Sequence, residues 1–384
     1  MKDLFPRGRT AVVGAATHGI GEAPGFSSID LAAQAASKAL RQAGLAPRDV
    51  DGVFVALPDD FLSGLTFAEY LGIQPRVTDN NRTGGSAFLT HMMWAALALD
   101  AGQCEVALIA YGSNQRSASG KLVSASRSSI YEAPYRPLNP ISSYALAASR
   151  HMHQYGTTRE QLGEVALAAR RWAQLNPEAF VRTPLTMAAS LESRMVSDPL
   201  SAADCCLVTD GAAAIVMVRA ERAADHAKRP VHLLGAAAET THREIAGMPD
   251  LTVTGALQSG RRAFAQAGVT PADIDVVEVY DAFTINTLLF LEDLGFCEKG
   301  EGGAFVQGGR IAPGGELPVN TNGGGLSCVH PGMYGLFTVV EATQQLMGLA
   351  AGRQVADAKL ALAHGNGGVL SSQATVILGT PETV

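Results

Sequence analysis

The chain has 384 residues and a net charge of -7, and it is 47% hydrophobic and 17% charged. That composition supplies a large core and excludes disordered, collagen-like and coiled-coil designs, while an acidic balance without any Lys/Arg run argues against a nucleic-acid binder. At roughly 150 residues per domain, the length implies two to three domains or one large two-lobed unit.

At the N-terminus, MKDLFPRGRTAVVGAA has too short an apolar segment to read as a signal peptide. The longest apolar runs, such as Met92 to Leu99, are under half the length of a membrane span, so a cytoplasmic protein is expected. The next segment, ALRQAGLAPRDVDGVFV (Ala39 to Val55), reads as an amphipathic helix stopped by Gly44, a turn at Pro47 and a β-branched strand. The same unit returns as AFAQAGVTPADIDVVEV (Ala263 to Val279), 224 residues later, with nine of seventeen positions identical. A second helix-stop-strand unit, Trp94 to Ser113, is echoed by Thr343 to Gly368. Two copies of an α/β half-domain around a pseudo-twofold axis follow from this. The halves are placed at 1-228 and 229-384, with a loop domain of about 115-204 inserted in the first. The insertion is rich in Ser, Arg and Pro at its start and turns helical around GEVALAARRWAQ.

Five cysteines, Cys104, Cys205, Cys206, Cys297 and Cys328, show no CxxC spacing and read as reduced thiols. The HxH pair His151/His153 has no matching ligand cluster nearby, so no metal site is expected. HGIG (His18 to Gly21) with Gly14 does not make GxGxxG, which removes a Rossmann dinucleotide reading.

Ligands in layered α/β folds bind at the carboxyl ends of strands, beside helix N-termini. In the first half, DNNRTGGSAF (Asp79 to Phe88) runs into a helix expected near Ala87. In the second, VNTNGGGLSCVHPGMYG (Val319 to Gly335) runs into a helix expected near Pro331. Gly85 and Ser86 therefore occupy places comparable to His330, and the pseudo-twofold brings them toward one site. The strand VVEVYDAFT ends beside them with Tyr280, Asp281 and Phe283; LALAHGNGG brings His364 and a turn at Gly367; Tyr334 lies on the following helix. A site of Tyr, two His and glycine amides, with no Cys, emerges, and the amides suit an oxyanion hole. Plainer roles stand beside these: a core aromatic for Tyr280, a helix-entry residue for His330, a backbone-bonded strand residue for His364, an N-cap for Ser86 and packing for Tyr334.

The whole chain resembles the thiolase superfamily, on its sterol-carrier-type and archaeal side. HPGMYG (His330 to Gly335) is similar to the family's HPxGxxG segment, YDAFT (Tyr280 to Thr284) stands where the family has its Asn-Glu-Ala-Phe or His-Asp-Cys-Phe box, and LEDLGFCEKGEGGAF with GGELPVNTNGGG matches the region between. The resemblance implies a layered α-β-α-β-α fold. It also puts the family's nucleophilic Cys on Gly85 or Ser86, with Gly85 favoured, and puts His364 where many thiolases carry a second Cys. This chain resembles the cysteine-free branch that performs retro-aldol cleavage of acyl-CoA side chains in steroid degradation, which also has Tyr at the place of Tyr280. That branch can carry Tyr at the place of His330 too, where this chain keeps the thiolases' His.

The implied activity is an acyl-CoA aldolase that cleaves a β-hydroxyacyl-CoA to a ketone or aldehyde and a shorter acyl-CoA. Tyr280 would take the hydroxyl proton, with its pKa lowered by helix N-termini or a neighbouring protonated His; His330 and a backbone amide would hold the enolate; His330 or His364 would protonate its carbon. Two alternatives are an acyltransferase using Ser86 and a non-catalytic acyl-CoA or lipid carrier. The resemblance further implies a homodimer, a small zinc-ribbon/OB-fold partner giving a heterotetramer, a place for zinc in that partner, and no cofactor in this chain beyond the coenzyme A of its substrate.

Overall fold

The structure, a computed structural model, describes residues 5-118 and 130-384. Part of the Ser/Arg-rich start of the insertion, residues 119-129, and residues 1-4 lie outside the described residues. In the first half the order is β1 (Thr10–Gly21), α1 (Ser28–Gln42), β2 (Gly52–Val55), α2 (Ser63–Leu71), β3 (Val77–Asp79), α3 (Ala87–Asp100) and β4 (Val106–Ser113). Next come α4 (Ile141–Tyr155), α5 (Arg159–Leu175), α6 (Met187–Leu191) and a small hairpin, β5 (Met195–Ser197) with β6 (Leu200–Ser201). β7 (Asp210–Arg219) and α7 (Ala220–His226) complete this half. The second half contains β8 (Val231–Thr240), α8 (Ala256–Ala267), β9 (Val276–Val279), α9 (Thr284–Asp293), α10 (Gly302–Phe305), α11 (Gly335–Met347), β10 (Leu360–Gly367) and β11 (Ser372–Gly379).

The repeat seen in sequence is a repeat in space. From the centre outward the first half runs β1-β7-β4-β2-β3 and the second runs β8-β11-β10-β9, with Val319 bridging in parallel to Val277 at the outer edge. The expected two sheets are continuous, because β1 pairs with β8 over Ala11-His232 and Val12-Val231. α3 and α11 pack against each other and against both half-sheets, forming the central layer; α1 covers β1, β4 and β7 from outside, and α8 covers β8 and β11. The layers therefore run α-β-α-β-α.

Equivalent residues make the same contacts in both halves. Gly44 and Gly268 follow α1 and α8 with φ of 67° and 69°, a left-handed backbone suited to glycine. Gln42 accepts the Ala15 N–H at 3.0 Å, and Gln266 accepts that of Ala236 at 2.8 Å. Each outer helix also lies directly on a strand glycine. A Cβ on Gly14 would overlap the Ala39 carbonyl oxygen, and one on Gly235 would overlap that of Ala263.

The segment between β4 and β7 crosses to the other half. Trp172 donates to the Ile311 carbonyl at 3.0 Å, Arg170 to Ser327 at 2.9 Å, and Asn176 to the Asn322 carbonyl at 2.9 Å. The HxH pair splits: His153 is exposed, whereas His151 is buried between Glu292, at 3.0 Å, and Thr157, at 2.7 Å. No group of three metal-ligating side chains occurs among the described residues. No helix among them is long and apolar enough to cross a membrane.

Gly14→Ala and Gly235→Ala should each cost about 1–3 kcal/mol in urea unfolding, because an added methyl must push a helix off its sheet. A neutral effect at either position would show that the two halves do not share this packing constraint.

Candidate active site

Tyr280 is the first residue beyond β9, and its N–H continues the parallel ladder by donating to the His364 carbonyl at 3.0 Å. His330 arrives from a single π-helical turn over Gly324–Cys328. Its N–H donates to Thr209 Oγ1 at 3.0 Å while its carbonyl accepts the Thr209 N–H at 3.3 Å. These anchors bring the Tyr280 hydroxyl to 3.0 Å from His330 Nε2 and 3.2 Å from the Gly332 carbonyl oxygen. The rings meet edge to face at 82°, and Tyr334 meets Tyr280 at 87°. With one hydroxyl proton there are two arrangements. Either Tyr280 donates to an unprotonated Nε2, or a protonated Nε2 donates to the Tyr280 oxygen while the hydroxyl turns to Gly332.

Burial sets the electrostatics. It drives the Tyr280 phenol well above its usual range; the nearby Cys206 and Tyr144 reinforce this, and the Tyr334 backbone N–H offsets part of it. Burial also lowers His330 to about 4, partly opposed by its own backbone carbonyl. The expectation of a depressed Tyr280 pKa beside a protonated His is thus corrected: both partners are neutral at physiological pH, because low-dielectric surroundings disfavour phenolate and imidazolium alike.

The other expected residues divide. The Thr83–Ser86 turn reaches the site from α3: a Cβ on Gly85 would overlap Cε2 of Tyr280, and one on Gly367 would overlap the Thr83 carbonyl oxygen. Ser86 stands at the N-cap of α3 but caps nothing with its side chain. Its hydroxyl is fully buried and bonded to Thr83 and Ser372 oxygens, both at 3.0 Å, which corrects the capping expectation. Asp281 is committed to the Gly325 N–H, which it accepts at 2.6 Å, and burial raises it to about 7 against that bond. Phe283 packs on Tyr144 with ring centroids 4.5 Å apart. Tyr334 is buried, with its hydroxyl donated to Asn322 at 3.1 Å. His364 is not free for proton transfer, since Nδ1 meets Thr375 and Nε2 meets Gln373, both at 2.9 Å. Strand alternation puts its neighbour Gly365 against the Gly85 turn instead; a Cβ there would lie 3.1 Å from the Gly85 carbonyl oxygen. α11 begins at Gly335 rather than near Pro331, because Tyr111 binds the Pro331 carbonyl and the Met333 N–H, and Gly332 has φ 95°.

Sequence reading passed over Thr209, Tyr111, Tyr144, Asn366 and Cys206. Asn366 donates to the Tyr144 hydroxyl at 2.9 Å, and Tyr144 donates to the Gly368 carbonyl at 3.0 Å. Cys206 stands beside the segment that follows Tyr280, its N–H donating to the Ala282 carbonyl at 2.8 Å. Its charge would be felt by Tyr280 and Tyr144, but burial pushes the thiol up, so no thiolate nucleophile is available. Thr209 and Cys206 stand in LVTDG and DCCLV, which carried no motif; Tyr111, at the end of β4 in AYGS, was the most findable.

Residues 237–380 match the thiolase C-terminal domain-like family. The chain is 34% identical over 363 residues to the 17-hydroxy-3-oxo-4-pregnene-20-carboxyl-CoA lyase of Mycobacterium tuberculosis, covering 89% of this chain and 92% of the relative. It belongs to the thiolase superfamily. An acetyl-CoA acetyltransferase of Methanothermobacter thermautotrophicus is 33% identical over 373 residues, covering 93% of this chain and 96% of that one. Overall identity in the superfamily therefore does not separate lyase from transferase, and the site must. The solved "Ltp2-ChsH2(DUF35) aldolase" superposes with a TM-score of 0.88 at 32% identity, covering 97% of this chain and 98% of that one.

His91, His330 and His364 are each lowered by burial to about 4. Unfolding lets each bind a proton near pH 6.5, so stability is fully present above that pH and falls as pH drops toward 4. Melting temperature should decline across this window, and His364→Gln should shallow the slope; a flat profile would contradict neutral buried imidazoles.

Proposed function

We propose that the Tyr280–His330 dyad carries the proton movements of a retro-aldol cleavage. The chain is an acyl-CoA aldolase, a carbon–carbon lyase, in keeping with the lyase and aldolase names of its relative and its structural neighbour. The observation that carries the mechanism is the 3.0 Å contact between a buried, neutral phenol and a buried, neutral imidazole, with the nearby Cys206 thiol held protonated by burial. A free phenolate is costly there, so the phenol acts as a conduit. As its oxygen takes the substrate's β-hydroxyl proton, its own proton passes to His330 Nε2. The Cα–Cβ electrons move to the α-carbon, the β-carbon becomes a carbonyl, and a thioester enolate remains. The imidazolium then returns the proton, directly or through Tyr280, to the enolate carbon. The N-terminal amides of α3 at Gly85 and Ser86 supply donors for the enolate oxygen.

The substrate class is a β-hydroxyacyl-CoA, and a steroid side-chain thioester is favoured by the lyase relative's name. The acyltransferase alternative loses support because the Ser86 hydroxyl is buried among other hydroxyls. A carrier role gives no reason for a Tyr–His pair in hydrogen-bond contact. A DUF35-type subunit is the expected partner, in line with the neighbour's name; that it is small and carries a zinc ribbon is part of our proposal. A homodimer is favoured by the exposed Phe61, Leu62, Leu65 and Trp94 on the first half, where Asn80, just beyond β3, bonds the Phe61 carbonyl. We place the protein in the cytoplasm, since its thiols are unpaired.

Tyr280→Phe keeps the ring and removes the conduit, so cleavage should fall roughly 10²–10⁴-fold with KM little changed. Product analysis with a β-hydroxyacyl-CoA in the presence of the partner subunit tests this. Unchanged turnover would remove Tyr280 from the mechanism.

A further inference from the structure

The turn that opens α3 carries two adjacent glycines that are glycine for different reasons. Gly84 has φ 94°, a left-handed backbone that side chains avoid, and a Cβ on it would lie 2.7 Å from Gly367 Cα. Gly85 has no such conformational need, since it is absent from the positive-φ positions. Its constraint is space. A Cβ on Gly85 would overlap Cε2 of Tyr280, lie 2.7 Å from Cδ2 of the same ring and 2.8 Å from the Asn366 carbonyl oxygen.

Neither side has room to yield. The Tyr280 backbone is tied to the His364 carbonyl, and the ring is braced edge-on by His330 and Tyr334 with its hydroxyl on Nε2. Behind the α3 turn stands α11, whose first residue, Gly335, is so close that a Cβ on it would overlap the Gly85 carbonyl oxygen. A side chain on residue 85 and the ring of residue 280 therefore claim one volume.

We infer that Gly85 is the specificity-determining position of this site: its bare Cα is the seat of the Tyr280 ring, and the site holds either the Tyr280 hydroxyl or a nucleophilic side chain on residue 85, never both. A Ser or Cys there would stand at the N-terminus of α3. It could exchange its O–H or S–H bond for a bond to a thioester's acyl group, with coenzyme A leaving as the thiol and taking the proton. With Tyr280 seated, that route is closed sterically as well as chemically. Losing a nucleophile at 85 and gaining the phenol at 280 become one structural event. The consequence for chemistry rests on the proton-conduit reading of Tyr280, while the steric coupling stands independently of it.

The test is a double-mutant cycle in the full chain with Gly85→Ala, Tyr280→Ala and their combination, followed by thermal melting and by cleavage kinetics. Gly85→Ala should lower Tm by a few degrees in the native background and by less than half as much once Tyr280→Ala has emptied the volume. Equal losses in the two backgrounds would overturn the inference. Should Gly85→Ala alone fail to fold, its recovery on adding Tyr280→Ala is the same coupling, and failure in both backgrounds overturns it. Where the single variant folds, displacement of the ring rather than of the coenzyme should cut kcat at least about tenfold with KM within about threefold; unchanged kcat overturns the inference. The proton-conduit reading fails separately, by full activity of Tyr280→Phe, an outcome that leaves the Tm coupling untouched.

Discussion

Everything at the site depends on backbone meeting backbone where the two halves touch. Gly335 admits the Gly85 carbonyl, Gly367 admits that of Thr83, and Gly84 lies against Gly367. These contacts let the first turns of α3 and α11 approach more closely than any side chain would permit, and they bring residues far apart in sequence into one small volume. The pseudo-twofold supplies the approach; the glycines let it close. The 41 glycines of the chain are in this sense partly a record of where its two halves meet.

The chemistry follows from what that volume lacks. The buried acids nearby are committed to partners of their own, Asp281 to the Gly325 N–H and Glu292 to His151. What remains around Tyr280 and His330 is apolar or neutral, so the phenol is held up and the imidazole down. Such a pair is unsuited to holding a permanent phenolate and well suited to passing a proton onward, because neither partner carries a charge that the interior must solvate before the substrate arrives.

Much of this was legible in the sequence, for a physical reason. The repeat of Ala39–Val55 in Ala263–Val279 fixes helix, turn and strand twice, and symmetry then places Gly85 beside Tyr280 and His330. Less accessible was everything that depends on strand alternation or on burial. One residue of register separates His364, whose nitrogens are bonded to Thr375 and Gln373, from Gly365, which faces the Gly85 turn. Ser86 occupies a cap position, yet it bonds across to Ser372, a partner 286 residues away that no local pattern reveals. The direction of the Tyr280 shift is not legible in sequence, which names the neighbours but not how completely they exclude water. Thr209 and Cys206 lie in segments without a motif and become meaningful only once β7 and the His330 segment are side by side.

The central claim is non-covalent cleavage by a neutral Tyr–His relay, and isotope placement tests it most directly. When the chain and its partner subunit turn over a β-hydroxyacyl-CoA in deuterium oxide, the shorter acyl-CoA should carry one solvent-derived deuterium on the carbon next to the thioester. It should form in equal amount with the ketone or aldehyde, and intact-mass analysis should find no acylated protein. A shorter acyl-CoA without that deuterium, or an acyl group left on the chain, would contradict the account.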